Sequence, residues 1–167
     1  MDRRQFLATA LYAPFAALAA QQGKVASTAD ILRWLDALAA SPKRGTTGGW
    51  PLAAVLDHLA QSVEMSMDGF PKPKGELFQQ TAGRAAFAFF KWRGEMRHDL
   101  AAPIPGAEPL EAENWQAAAG RLRAAIQRFE RHDGPLKPHF AYGGLSKFDY
   151  AIAHVLHVAN HQDEIVL

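Results

Sequence analysis

Cysteine is absent from the 167 residues. Thiol catalysis, disulfide frameworks, thiolate zinc sites, iron–sulfur clusters and a lipoprotein anchor are excluded with it. An excess of either charge is also missing: 18 Lys and Arg stand against 17 Asp and Glu, a formal net charge of +1. Nucleic acid and anionic membranes are met by basic excess, so neither is expected as a main partner. No apolar run makes a comfortable membrane span. What the chain does have is apolar side chain, 49% of residues against 21% charged, the balance of a globular protein of one domain. Its chemistry must come from histidines, carboxylates, hydroxyls or a metal held by them.

The first twenty residues stand apart. Arg3 and Arg4 precede a modest apolar run from Phe6 to Ala20, and Ala17-Leu18-Ala19 has the small-residue spacing of a signal-peptidase site. The segment Asp2-Arg3-Arg4-Gln5-Phe6-Leu7 resembles a twin-arginine export signal, with Asp2 and Ala8 departing from the usual residues. Residues 1–20 are therefore read as a twin-arginine-like signal segment and residues 26–167 as the domain. The implied location is the periplasm, with no stable membrane anchoring after removal of the signal. An ordinary first helix in a cytoplasmic protein is the alternative.

Pro and Gly punctuation divides the remainder into helical stretches. Residues 27–40 read as a helix capped by Ser27 or Thr28, with Ile31, Leu32, Leu35 and Leu38 at helical spacing. Residues 51–67 form a second, with Pro51 at its first position and Leu52, Val55, Leu56, Leu59 and Val63 along one stripe. A third stretch covers roughly 77–96, rich in Phe and Trp but interrupted by Gly83 and Gly94. Residues 112–131 make a strong helix on Trp115, Leu122, Ile126 and Phe129. Ser146, with Asp149 three residues on, opens a last helix expected to run nearly to Leu167. No alternating run of strand type stands out. Four principal helices with one inserted helical segment, between the second and third, suggest an all-α bundle, with a looser all-α fold as the alternative.

Seven histidines are present, and three share the last helix: His154, His157 and His161. At about 100° per residue they fall within an arc of roughly 60°. Phe148, Ile152, Val155 and Ala159 lie nearly opposite, which predicts one packing face and one face of imidazoles turned to a cleft or to water. Two His at i and i+4, as His157 and His161 are, can direct ring nitrogens at one metal. No Glu lies between them, so the pair lacks the zincin pattern. His58 lies at the edge of the second helix's apolar stripe. One His from one helix and a pair from another would give a three-nitrogen site with positions open to water or substrate.

With these residues in place, the chain resembles the DinB-like (damage-inducible, YfiT-type) superfamily of metal-binding four-helix bundles, in a bacterial branch of unknown function. The resemblance spans about residues 26–165. It rests on WPLAAVLDHLAQS around His58, on TAGRAAF with APIPGAEPL, and on HFAYGGLSKFDYAIAHVLHVANHQDEI. It implies an up-down-down-up bundle and a divalent metal on His58, His157 and His161. His154 then becomes a neighbour one turn away, solvated or hydrogen-bonded in the cleft. Glu164, three residues past His161, orients a ligand imidazole or serves as a base; an exposed Glu is the plainer reading. Tyr150 is a proton donor at the cleft mouth or simply a packing side chain. His98, His132 and His139 have no partner spacing and receive no role.

Characterised members of the superfamily use the metal to activate a low-molecular-weight thiol. The expectation is thus a divalent-metal-dependent enzyme, transferase or hydrolase in type, acting on a small-molecule substrate that the residues do not identify. Export favours water over a thiol as nucleophile. The alternatives are a non-catalytic exported bundle that binds a metal or ligand, and a helical bundle with no bound metal whose His face is merely solvated. Three imidazoles suit zinc first, with nickel or iron also acceptable. A second copy of the chain, forming a homodimer, is a candidate partner.

Overall fold

The structure is a computed structural model, and it describes residues 23–112 and 114–167. The export reading of residues 1–20 lies outside the described residues. The elements are α1 (Thr28–Ala40), β1 (Gly45–Thr46), α2 (Leu52–Asp68), α3 (Glu76–Phe78), a π-helical turn (Gln79–Gly83), α4 (Arg84–Arg93), α5 (Trp115–Arg131), α6 (Lys147–His161) and β2 (Ile165–Val166). No helix among the described residues is long and apolar enough to cross a membrane.

The protein is an all-α bundle of α1, α2, α5 and α6. Helices α1 and α2 each pack against both α5 and α6, and the α2–α5 seam is the most extensive. The apolar stripes meet in one core: Ile31, Leu35 and Leu38 from α1, Val55, Leu56, Leu59 and Val63 from α2, Leu122, Ile126 and Phe129 from α5. Local chemistry sets the helix starts. The side chains of Ser27, Asn114 and Ser146 accept from the N–H of Asp30, Ala117 and Asp149 respectively. Pro51 is the residue before α2 rather than its first helical residue, and α5 begins at Trp115, not 112, because Asn114 caps it.

The inserted segment, α3 to α4, lies between α2 and α5 in sequence and packs beside α6. It is one helical run through its π turn, and it stops at Arg93 because Gly94 takes a left-handed conformation (φ 66°). Gly83 has a tertiary reason: a Cβ there would come within 1.9 Å of the Ala141 carbonyl oxygen. The π turn therefore lies directly on the loop before α6.

Two expectations for α6 are corrected. The helix ends at His161, not near Leu167: the chain turns back through Glu164 N–H to His161 C=O, and β2 pairs antiparallel with β1, Ile165 opposite Thr46. Strands of two residues are too short to leave an alternating pattern in the sequence. Phe148 does not pack with Val155 and Ala159 in the interior; it is 69% exposed, at the outer end of α6 with Lys91 over its ring.

Candidate metal centre

Four imidazoles converge where α2, α6 and the loop after α4 meet. One ring nitrogen from each of His58, His98, His157 and His161 lies within 4.8 Å of all the others. The three residues singled out in the sequence are brought together. His98 joins them although no helical spacing links it to a partner. It arrives on the loop between α4 and α5, held by its backbone N–H donating to Asn160 Oδ1 on α6 (3.2 Å). No spacing in the sequence marks that contact, which a loop makes with the buried Asn160 beside His161.

The outer nitrogens reveal how the rings are aimed. His161 Nδ1 lies 2.7 Å from Glu164 Oε1. A carboxylate accepts only, so the ring proton is on Nδ1 and Nε2 keeps its lone pair. That Nε2 is buried with no hydrogen-bond partner among the described residues. His157 Nδ1 lies 3.2 Å from Ser62 Oγ, which leaves its Nε2 for the cluster. His58 Nε2 faces His157 Nε2 at 3.2 Å, while its own Nδ1 is buried and unpartnered among the described residues. Trp50 packs edge-on to the His58 ring at 5.2 Å.

Glu164 owes its position to the turn after α6. Thr47 N–H donates to its carbonyl (2.7 Å), and Gly48 makes room for its carboxylate, since a Cβ there would lie 1.7 Å from Oε2. The plainer reading of an exposed Glu is corrected: Glu164 is buried, because the β1–β2 pairing folds the chain end over it.

Burial lowers the basicity of the whole cluster. Desolvation, then the nearby His98, brings His58 to about 4; desolvation, then His58 and His98, brings His161 to about 3. His157 is lowered well below its ordinary value by burial first and by its imidazole neighbours second. Burial also lowers His98. The rings are therefore neutral at pH 7, the state in which imidazole coordinates a metal.

The donor set fits a metal. Nitrogens about 2.1 Å from a common ion would be separated by about 3.0 Å at right angles and about 3.4 Å at tetrahedral angles. The 3.2 Å between the Nε2 atoms of His58 and His157 falls in that interval. Neutral nitrogen donors suit zinc, nickel or iron better than oxygen-seeking calcium.

The sequence profile of one family runs over residues 20–167. The chain belongs to that family, described as "Protein of unknown function (DUF1569)". No curated protein and no solved structure matches it.

Two other candidates in this DUF1569 chain stand elsewhere. His154 takes the hydrogen-bonded alternative, not the solvated one: it lines the same cavity but is buried, its Nε2 3.3 Å from Ser66 Oγ, with Phe129 edge-on and Tyr150 stacked against it. The imidazole face of α6 turns toward α2, so its inner end is interior. Tyr150 is fully buried and donates its hydroxyl to the Lys137 carbonyl (2.6 Å), a packing and anchoring role rather than proton donation.

Proposed function

We propose that this DUF1569 domain is a DinB-like bundle that holds one divalent metal on His58, His157 and His161, with His98 as a fourth donor from the loop. The carrying observation is the buried, unpartnered Nε2 of His161, on a ring whose tautomer is fixed by Glu164 and which gathers with three further imidazoles, one nitrogen of each within 4.8 Å of the others. An unsatisfied buried acceptor costs about 1–3 kcal/mol, and coordination removes that cost. Zinc is the favoured ion, with nickel or iron as alternatives.

The cluster opens onto a cavity of about 280 Å³ lined by His58, His98 and His157 among others. That is the arrangement of a site that meets a small molecule, and it supports a transferase or hydrolase over a purely structural metal. A bound divalent ion supplies Lewis-acid polarisation there. The chain's own contribution is to hold four neutral imidazoles, to orient His161 through Glu164 and His157 through Ser62, and to exclude bulk water from the buried side. Export through the twin-arginine-like segment belongs to the same reading, supported by the Arg3-Arg4 motif and by a family match that begins at residue 20.

The test is elemental analysis of untagged protein beside a His157→Ala, His161→Ala double variant. About one equivalent of metal in the parent and less than about a tenth in the variant is expected. Absence of metal in both, persisting after incubation with zinc and with nickel, refutes the reading.

A further inference from the structure

The cavity beside the cluster is also lined by His139, which is not part of the four-histidine cluster. His139 begins a tight turn, its backbone N–H and C=O pairing with Gly143 at 2.8 and 3.1 Å. Inside the turn its Nδ1 accepts two backbone N–H groups, from Ala141 (3.1 Å) and Tyr142 (3.2 Å). A nitrogen that accepts two donors carries no proton, so the neutral ring holds its proton on Nε2. Burial, with His154 second, pushes the imidazole down to about 3, which keeps it neutral at pH 7.

The rest of the ring is occupied. Tyr142 stacks on one face at 4.2 Å and 5° between planes, and Phe70 packs at 5.0 Å. The Nε2–H has no hydrogen-bond partner among the described residues, yet it is not among the unpartnered nitrogens sealed from solvent. With Nδ1 engaged inside the turn, Nε2–H is the one polar group that the ring, which lines the cavity, has left to offer a ligand. The arrangement is a rigid, directional, uncharged donor.

The remaining walls select for the ligand's charge and shape. Met96 and Ile104 supply apolar surface, while Lys74 and Asp99 place one charge of each sign on the walls. The Lys74 ammonium is already engaged over the Phe78 ring at 5.0 Å. Apart from any bound metal, the chain's own side chains favour neither net sign on these walls, and a neutral donor matches a neutral acceptor.

We propose that the cavity binds a small uncharged carbonyl compound, its oxygen accepting from His139 Nε2–H and its apolar body lying along Met96 and Ile104. The inference rests on the metal reading only for where a bound molecule would react, since His58, His98 and His157 line the same cavity.

The experiment is a ligand-observed NMR titration of the full chain, zinc-loaded and metal-stripped, with acetophenone and with ethylbenzene, which lacks the carbonyl. Acetophenone is expected to bind about fivefold to tenfold more tightly to the wild type, the worth of one net hydrogen bond. His139→Phe, which keeps the aromatic stack, should bring the ratio near one. The ¹⁵N spectrum of the wild-type imidazoles should show His139 protonated on Nε2, an observation that needs no variant to fold. Equal affinities in the wild type, a preference that survives the substitution, or a proton on Nδ1 overturns the proposal. A carbonyl preference in protein that takes up no zinc would sustain it while removing the metal reading. Stoichiometric zinc with equal affinities would do the reverse.

Discussion

Helix α2 carries a partly buried polar cluster on each of two faces, and they are built on opposite principles. Toward α5, Arg121 donates to Asp57 Oδ1 (2.8 Å) and to both oxygens of Glu64 (3.0 and 2.7 Å), while Asp57 Oδ2 accepts the backbone N–H of Glu111 (3.2 Å). Each charge there meets its complement. The hydrogen bonds to Glu64 and Asp57 raise the Arg121 guanidinium above its already high basicity. Toward α6, four neutral imidazoles aim nitrogens at one another, and His58 and His161 keep buried nitrogens without partners among the described residues. A cluster that only joins helices closes its hydrogen bonds, since an open one costs stability. A cluster that leaves a lone pair buried and bare has tolerated that cost for a ligand.

Acid should separate the two faces most sharply. His154 and His139 are buried outside the ligand set, each lowered to about 3 by desolvation. In the unfolded chain they titrate near 6.5, so below that pH the unfolded state binds protons that the folded state refuses. Above 6.5 neither group affects stability. Between 6.5 and about 3, each removes about 1.4 kcal/mol per pH unit. The unfolding free energy of metal-free protein from urea titrations should therefore fall steeply from pH 6.5 to 4.5, by about 5 kcal/mol from this pair, with the lowered His58, His157 and His161 steepening it further. A flat profile would mean that these rings are not buried and neutral.

Arg121→Met breaks the closed cluster and leaves Asp57 buried without its cation. We expect a loss of about 2–3 kcal/mol, below the cost for a fully buried pair because Arg121 is 39% exposed. Metal content, measured on the same sample, should not change. A matching fall in metal would show that the two faces are coupled through α2.

Glu164→Gln keeps an acceptor beside His161 but removes its charge. Metal affinity should drop about tenfold in a competition titration with a chelator, the usual scale for an outer partner of a metal-bound histidine. Thermal stability of the metal-free protein should move much less. Smallest of all is the expected effect of His98→Ala, less than about tenfold in affinity, because a donor on a loop offsets more of its contribution by its own ordering. An effect as large as that of losing His157 would make His98 an equal ligand rather than a supplementary one.

The bundle was readable because its helices announce themselves locally. Ser27 and Ser146 cap their own helices within three residues, and the stripe of Leu52, Val55, Leu56, Leu59 and Val63 marks what α2 buries. The pairing of His157 with His161 is local too, since residues four apart share a face. The end of α6 was not readable, because it is decided by pairing with β1 more than a hundred residues earlier. The exposed position of Phe148 depends likewise on what α4 leaves uncovered.

By itself, then, the sequence determined an all-α bundle and the i, i+4 imidazole pair, since periodicity and capping act within a turn or two of helix. Long-range packing was needed to bring His98 into the cluster, to fold Glu164 inward over Gly48, and to hold the His139 proton on Nε2 beside the same cavity. Those placements depend on loops packed against distant helices, and a loop's side chains have no fixed spacing from which their partners could be read.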